Sequence, residues 1–109
     1  MSRANFLSEQ ELTTLSETFR LLGDPSRLKI LLCCSGGPKP VSQISQELEL
    51  SQSLVSHHLR LLRAARLVRG VRRSKNVFYE IDDAHVGDML HGMVNHIAEG
   101  TGIGEQGPA

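Results

Sequence analysis

The sequence predicts a mainly α-helical protein that contains one β-hairpin. Three observations support this fold class. Helix caps and glycine or proline breaks divide the first two thirds into short helices, two alternating segments follow, and helical periodicity then returns. At 109 residues we expect one domain, small enough for dimerisation to add to its stability.

The first two helices have recognisable start and stop signals. The segment SEQE at residues 8–11 is typical of a capping box, and Gly23 ends the helix that it opens. The apolar stripe of this helix contains Leu12, Leu15, Phe19 and Leu22. Asp24 and Pro25 supply the N-cap and first position of a second helix, which the segment GGPKP at residues 36–40 ends.

A helix-turn-helix is predicted in the middle of the chain. Residues 41–48 form a short amphipathic helix, Glu49 and Leu50 make the turn, and Ser51 caps a longer helix over residues 52–64. The second helix is rich in Ser, His and Arg, which is typical of a recognition helix. Its inward positions should be Leu54, Val55, Leu59 and Leu62.

A β-hairpin with a basic tip is predicted next. Residues 67–72 and 77–81 alternate between apolar and polar side chains, and the segment RSKN at residues 73–76 joins them. Two antiparallel strands after a helix-turn-helix form the wing of a winged helix-turn-helix domain.

The chain returns to a helix after the hairpin. This last helix should begin at Asp82 or Asp83 and continue to about Glu99. One side of it should cover the chain's own core with Val86, Leu90, Met93 and Ile97. The order α-α-α-α-β-β-α thus predicts a winged helix-turn-helix over residues 1–99, and the Gly-rich residues 100–109 should form a flexible tail.

The charges are segregated along the chain although the formal net charge is zero. Residues 51–76 contain seven basic and no acidic side chains, whereas the chain from Glu80 onward contains six acidic side chains and no Lys or Arg. This distribution predicts a local basic surface and favours double-stranded DNA as a partner.

Eight residues are predicted to contact DNA. Side chains of the recognition helix can reach base edges in the major groove, and basic side chains of the hairpin tip can contact phosphates. The candidates for base contacts are Gln52, Ser53, Ser56, His57 and Arg60, and those for backbone contacts are Arg72, Arg73 and Lys75. A winged helix that binds proteins instead is the alternative, and the salt dependence of DNA binding distinguishes the two.

No membrane partner is expected, and the location is predicted to be cytoplasmic. The chain has no apolar run of about eighteen residues, and its start lacks an apolar signal-like stretch. Cys33 and Cys34 are adjacent, which is a poor arrangement for a structural disulfide. They are expected to be small core residues.

The last helix contains a spaced set of metal-ligand side chains, namely Asp83, His85, His96 and Glu99. His85 and His96 share a helix face, but eleven residues correspond to a rise of ~16 Å. One ion bound at about 2 Å cannot touch both on one helix.

Two antiparallel copies of this helix remove that difficulty. The pair Asp83 and Glu99 and the pair His85 and His96 have midpoints that both fall near residue 91, as one isologous interface requires. Asp83 and His85 of one chain would then meet His96 and Glu99 of the other chain, twice per homodimer. Two imidazoles and two carboxylates suit tetrahedral Zn(II), with Co(II) or Ni(II) as alternatives. Gly92, near the midpoint, would permit close approach.

These motifs resemble those of the ArsR/SmtB family of metal-responsive repressors over nearly the whole chain. The segment LGDPSRLKIL at residues 22–31 is similar to the family's opening signature, and LSQSLVSHHLRLL at residues 50–62 to its recognition helix. Asp83-x-His85 followed by His96-x-x-Glu99 resembles the carboxy-terminal sensor motif of zinc-sensing members.

The resemblance implies a repressor rather than an enzyme. The apo homodimer would bind operator DNA and be released when Zn(II) binds between the two terminal helices. Residues 39–44 lack the Cys-x-Cys pair of the family's arsenic- and lead-type members, which excludes a thiolate site there. The alternative is a repressor of the same fold that responds to redox or persulfide chemistry at Cys33 or Cys34.

Overall fold

The computed structural model describes residues 7–100, which form five α-helices and three β-strands. Residues 1–6 and 101–109 lie outside the described residues, and Gly100, the first residue of the predicted tail, belongs to α5. The elements are α1 (Glu9–Leu22), α2 (Pro25–Cys34), β1 (Lys39–Pro40), α3 (Val41–Leu48), α4 (Gln52–Ala64), β2 (Val68–Arg73), β3 (Asn76–Ile81) and α5 (Ala84–Gly100). The predicted order of helices and hairpin is confirmed.

The starts of α1, α2 and α4 are fixed by the polar caps that the sequence predicts. The backbone N–H of Glu11 donates to Ser8 Oγ at 3.0 Å, and Ser8 N–H donates back to Glu11 Oε1 at 2.9 Å. Asp24 caps α2 by accepting from Arg27 N–H at 2.9 Å, and Ser51 caps α4 in the same way. These bonds satisfy N–H groups that a helix leaves unpaired in its first turn.

The core forms where α2, α3 and α4 meet the sheet. Its buried side chains are Ile30, Leu31, Cys34, Ile44, Val55, Leu59, Leu62, Leu67, Val68 and Leu90. Three of the four inward positions predicted for α4 are therefore confirmed. The fourth prediction is wrong, because Leu54 lies beside this stripe and is 37% exposed. His58 occupies the inward position instead and is only 8% exposed, since it lies one turn from Val55 and Leu62 on the same helix face.

The sheet contains one strand that the sequence analysis does not predict. β1 pairs antiparallel with β3, with Lys39 opposite Tyr79 and Pro40 opposite Phe78, in the strand order β1-β3-β2. β1 is therefore an edge strand, where a proline is tolerated because half of the backbone groups need no strand partner. Two residues are too short to show an alternating pattern.

Two helices leave apolar side chains uncovered in the single chain. On α1 these are Leu12, Leu15 and Phe19, and on α5 they are Met93, Val94 and Ile97. The expectation that Met93 and Ile97 cover the chain's own core is wrong, because they are 51% and 57% exposed. Val86 and Leu90 do pack on the core, but the second half of α5 extends past it.

The hairpin tip gives a test of backbone strain. Ser74 adopts a positive φ of 59°, whereas the φ of the neighbouring Lys75 is not positive. The left-handed region costs non-glycine residues ~1 kcal/mol or more, so Ser74→Gly should raise the free energy of unfolding by about 1 kcal/mol. Urea unfolding at fixed protein concentration measures this change. The matched variant Lys75→Gly should instead lower stability, and equal effects of both substitutions would contradict the strain argument.

Candidate nucleic-acid interface and metal centre

The face of α4 opposite the core carries the residues predicted to contact base edges. Gln52, Ser53, His57 and Arg60 are exposed, and Ser56 is half-buried at the edge of the core. The position of this face follows from the packing of α4, because burial of one stripe of a helix leaves the other stripe in solvent. The structure therefore places all five side chains along one accessible side of the helix or at its margin.

The hairpin tip carries the residues predicted to contact the DNA backbone. Arg72, Arg73 and Lys75 are exposed, and the Arg73 guanidinium carbon lies 5.2 Å from the centre of the Phe78 ring. This cation–π contact holds the Arg73 side chain along the wing without neutralising its charge. The wing thus presents a positive tip next to the strand turn.

Not every basic side chain of residues 51–76 is free to contact a DNA phosphate. Arg69 Nε donates to Glu80 Oε2 at 2.7 Å across the paired strands β2 and β3. This cross-strand ion pair neutralises one of the seven basic side chains. Arg69 is not among the predicted DNA contacts, so the pairing leaves that set unchanged.

His58 is a buried polar residue that is not among the predicted site residues. Its Nε2 lies 3.9 Å from Asp24 Oδ2, and its buried Nδ1 has no hydrogen-bond partner within residues 7–100. Burial lowers the pKa of His58, and the carboxylate of Asp24 opposes that effect in part. Its position between Val55 and Leu62 on the inward face is the sequence signal that could have found it.

Two of the predicted metal ligands lie together at the start of α5. Asp83 Oδ1 accepts a hydrogen bond from Val86 N–H at 3.1 Å, and Asp83 Oδ2 lies 3.6 Å from His85 Nδ1. The bond from Val86, followed by the interaction with His85, lowers the pKa of Asp83. The carboxylate is therefore charged at neutral pH, and the His85 side chain is 96% exposed.

The other two predicted ligands, His96 and Glu99, are exposed near the end of α5. They are separated from Asp83 and His85 by several turns of the helix, so one chain does not bring the four together. Among residues 7–100 no group of three or more His, Cys, Asp or Glu side chains could hold a metal ion within one chain.

The two cysteines lie at the end of α2 in different surroundings. Cys34 is in the core, and burial raises the pKa of its thiol to about 12. Cys33 donates to Glu47 Oε1 at 3.3 Å, and burial followed by this hydrogen bond raises its pKa as well. Both thiols are therefore protonated at neutral pH, which disfavours them as redox sensors, since the thiolate is the reactive form.

The family model for the bacterial regulatory protein, arsR family, matches residues 24–69, which contain α2, the helix-turn-helix and the start of the wing. The transcriptional regulator NmtR of Mycobacterium tuberculosis is 37% identical over 83% of this chain and 75% of its own length. The transcriptional repressor SmtB homolog of Synechocystis is 33% identical over 85% of this chain and 70% of its own length.

Two solved structures support the same fold. The solution structure of apo-NmtR superposes with a TM-score of 0.72 at 34% identity, covering 94% of this chain and 86% of that one. The homodimeric winged helix-turn-helix DNA-binding domain Mb0332 of Mycobacterium bovis gives a TM-score of 0.80 at 20% identity, over 89% of this chain and 90% of that one.

The fold and the exposed basic face define a winged helix-turn-helix DNA-binding protein. This chain belongs to the ArsR/SmtB family of metal-responsive transcriptional repressors, and it is a regulator rather than an enzyme. Within residues 7–100, no helix has both the length and the apolar character needed to span a membrane.

The buried histidine gives a pH dependence of stability. An unfolded histidine has a pKa of about 6.5, whereas burial lowers that of His58 in the folded protein. Between these values the unfolded chain binds more protons, so the free energy of unfolding should fall as the pH decreases through this range. Urea unfolding with a metal chelator at pH 7.5, 6.5 and 5.5 measures it.

The comparison that isolates His58 uses two substitutions. His58→Gln should flatten the pH profile between 7.5 and 5.5, because no buried ring remains to be protonated. His91→Gln changes an exposed histidine and should keep the decrease seen in the unmodified protein. A His58→Gln profile as steep as that of the unmodified protein would refute the assignment.

Proposed function

We propose that this protein is a zinc-responsive repressor whose homodimer binds operator DNA and is released when Zn(II) occupies two sites between the α5 helices. The observation that carries the proposal is the pair formed by Asp83 and His85, which lie 3.6 Å apart at the start of α5. Each chain offers half of a tetrahedral ligand set there and the other half, His96 and Glu99, near the end of the same helix.

The dimer is supported by the apolar side chains that the single chain leaves exposed. Leu15 and Phe19 on α1, together with Met93 and Ile97 on α5, would be covered by a second copy. Several exposed apolar side chains along one helix, as on α1 and on α5, are typical of an interface. If the two α5 helices cross antiparallel near Gly92, Asp83 and His85 approach His96 and Glu99 of the partner subunit.

The donor set agrees with the proposed ion. Zn(II) accepts imidazole nitrogen and carboxylate oxygen in tetrahedral geometry, and Co(II) and Ni(II) accept the same donors. Val86 N–H donates to Asp83 Oδ1 and lowers the pKa of the carboxyl, and Asp83 Oδ2 lies beside His85 Nδ1, the second donor of the pair. The exposed imidazole of His85 needs no rearrangement of the core to reach a ligand position.

The link between metal and DNA runs through the core. Leu90 of α5 belongs to the same buried cluster as Leu59 and Leu62 of α4, so a change in the orientation of α5 would act on the core that positions the recognition helix. Zn(II) would favour the dimer conformation that presents the two recognition helices poorly. Metal and DNA then weaken each other reciprocally, with a typical coupling of about 1–3 kcal/mol.

Substitution of single ligands tests the sensing function. His85→Ala or His96→Ala should abolish release of DNA by Zn(II) and leave apo binding unchanged, because neither side chain lies on the proposed DNA face. Fluorescence anisotropy with a duplex selected from a random pool by the apo protein measures both quantities. His91→Ala removes another exposed histidine of α5 and should retain release. Normal release by His85→Ala or His96→Ala would refute the ligand assignment.

Mixed dimers test whether each site is shared between chains. One chain carries Asp83→Ala and His85→Ala, and the other carries His96→Ala and Glu99→Ala. Neither homodimer should bind Zn(II) tightly, whereas the heterodimer should bind one ion, since one of its two sites keeps all four ligands. Competition with a chromophoric chelator gives the stoichiometry. A heterodimer without tight binding would exclude a site shared in this way.

A further inference from the structure

We propose that Arg63 of α4 and Tyr79 of β3, with Ser56 and Arg60, bind one phosphate of the DNA backbone at the junction of the recognition helix and the wing. Neither Arg63 nor Tyr79 belongs to the contacts predicted from the sequence. The inference rests on the DNA-binding part of the proposed function and is independent of the metal site.

The site is a cleft of about 120 Å³ between α4 and the sheet, lined by Ser56, Leu59, Arg60, Arg63 and Tyr79. A water molecule takes up about 30 Å³ of liquid volume, so the cleft has room for a small polyatomic group. The buried side chain of Leu59 is its apolar contribution. The other four side chains all carry hydrogen-bond donors.

The arrangement follows from helix and strand periodicity. Ser56, Arg60 and Arg63 are spaced by four and three residues, so their side chains share one stripe of α4. Tyr79 is directed to the same region from β3, where it also packs against the core. Helix and strand thereby supply donors from two sides of one cleft.

Gly70 of β2 makes room for the Tyr79 ring. It lies opposite Tyr79 in the strand pairing, and a Cβ atom there would come within 3.3 Å of Tyr79 Cε1 and 2.9 Å of Val77 Cγ1. Contacts this close would force the neighbouring side chains to shift. A side chain at this position would therefore displace the aromatic wall of the cleft.

The charges of the cleft favour an anion. Within residues 7–100, the guanidinium groups of Arg60 and Arg63 have no hydrogen-bonding or ion-pair partner, unlike that of Arg69, which is paired with Glu80. None of the described residues that line the cleft is acidic. Two guanidinium groups with adjacent hydroxyl donors match the geometry and charge of a phosphate oxygen set.

The backbone of a bound duplex is the source of phosphate that the position favours. Ser56 and Arg60 belong both to the cleft and to the predicted DNA face of α4. A duplex that contacts Gln52 and Ser53 at the start of α4 would extend along the helix toward Arg63. Such a contact fixes the orientation of the protein on DNA and does not distinguish base sequences.

The salt dependence of apo DNA binding tests the role of Arg63. Loss of one phosphate contact should reduce the slope of log K against log salt by ~0.9, and Arg63→Gln should show this reduction on both the selected duplex and a scrambled one. Lys29→Gln is the matched control, because it removes one exposed positive charge from α2, outside the cleft. It should leave the slope and the affinity unchanged.

Tyr79→Phe tests the hydroxyl without changing charge or ring packing. It should weaken binding to both duplexes by the same factor, roughly 3- to 10-fold for one lost hydrogen bond, and keep the slope. Circular dichroism and thermal unfolding check that each variant is folded. An unchanged slope for Arg63→Gln, or a loss confined to the selected duplex, would overturn the proposal.

Two further measurements separate other sources of failure. Inorganic phosphate that binds the unmodified protein but not Arg63→Gln, while DNA affinity and salt slope are the same for both proteins, would assign the cleft to the free anion and overturn the DNA proposal. If Zn(II) fails to release the unmodified protein, the sensing function fails while the apo salt slope still decides the phosphate site. If the apo protein binds no duplex, the DNA-binding function and this inference fail together.

Discussion

Val55, Leu59 and Leu62 hold α4 against α2 and α3, and most functional features of the molecule depend on this packing. Each is almost fully buried, and burial of such a side chain contributes about 1.5–3 kcal/mol. The stripe fixes the rotation of α4 about its own axis. That rotation exposes the residues predicted to contact base edges, directs His58 inward and aligns Arg63 with the sheet.

The two halves of α5 pack differently, and the proposed sensor depends on this difference. Leu90 joins the core that anchors α4, whereas Met93 and Ile97 extend beyond it with their side chains exposed. A second copy would cover the exposed half and bring the ligand pairs together. In the proposed sensor, dimerisation would be a condition for metal binding, and α5 would act on the recognition helix through the buried cluster that Leu90 shares with α4.

Charge pairing, more than net charge, describes the proposed DNA-binding surface. The formal net charge is zero, yet Arg60 and Arg63 have no acidic partner within residues 7–100. Arg69, by contrast, is neutralised by Glu80 across the hairpin. These three arginines look equivalent in the sequence. The strand register places Arg69 opposite Glu80, and this pairing distinguishes it from the arginines that remain available to a phosphate.

The sequence by itself determined the helix boundaries, the hairpin and the segregation of charge, because caps such as Ser8 and Asp24 and the alternation of the strands are local signals. It also limited a single helix to half of any metal site, since rise per residue is fixed. Tertiary structure decided which apolar residues are buried. His58 is buried while Ile97 is exposed. Burial depends on which elements pack together in the folded chain, and the spacing of residues along one helix does not determine this.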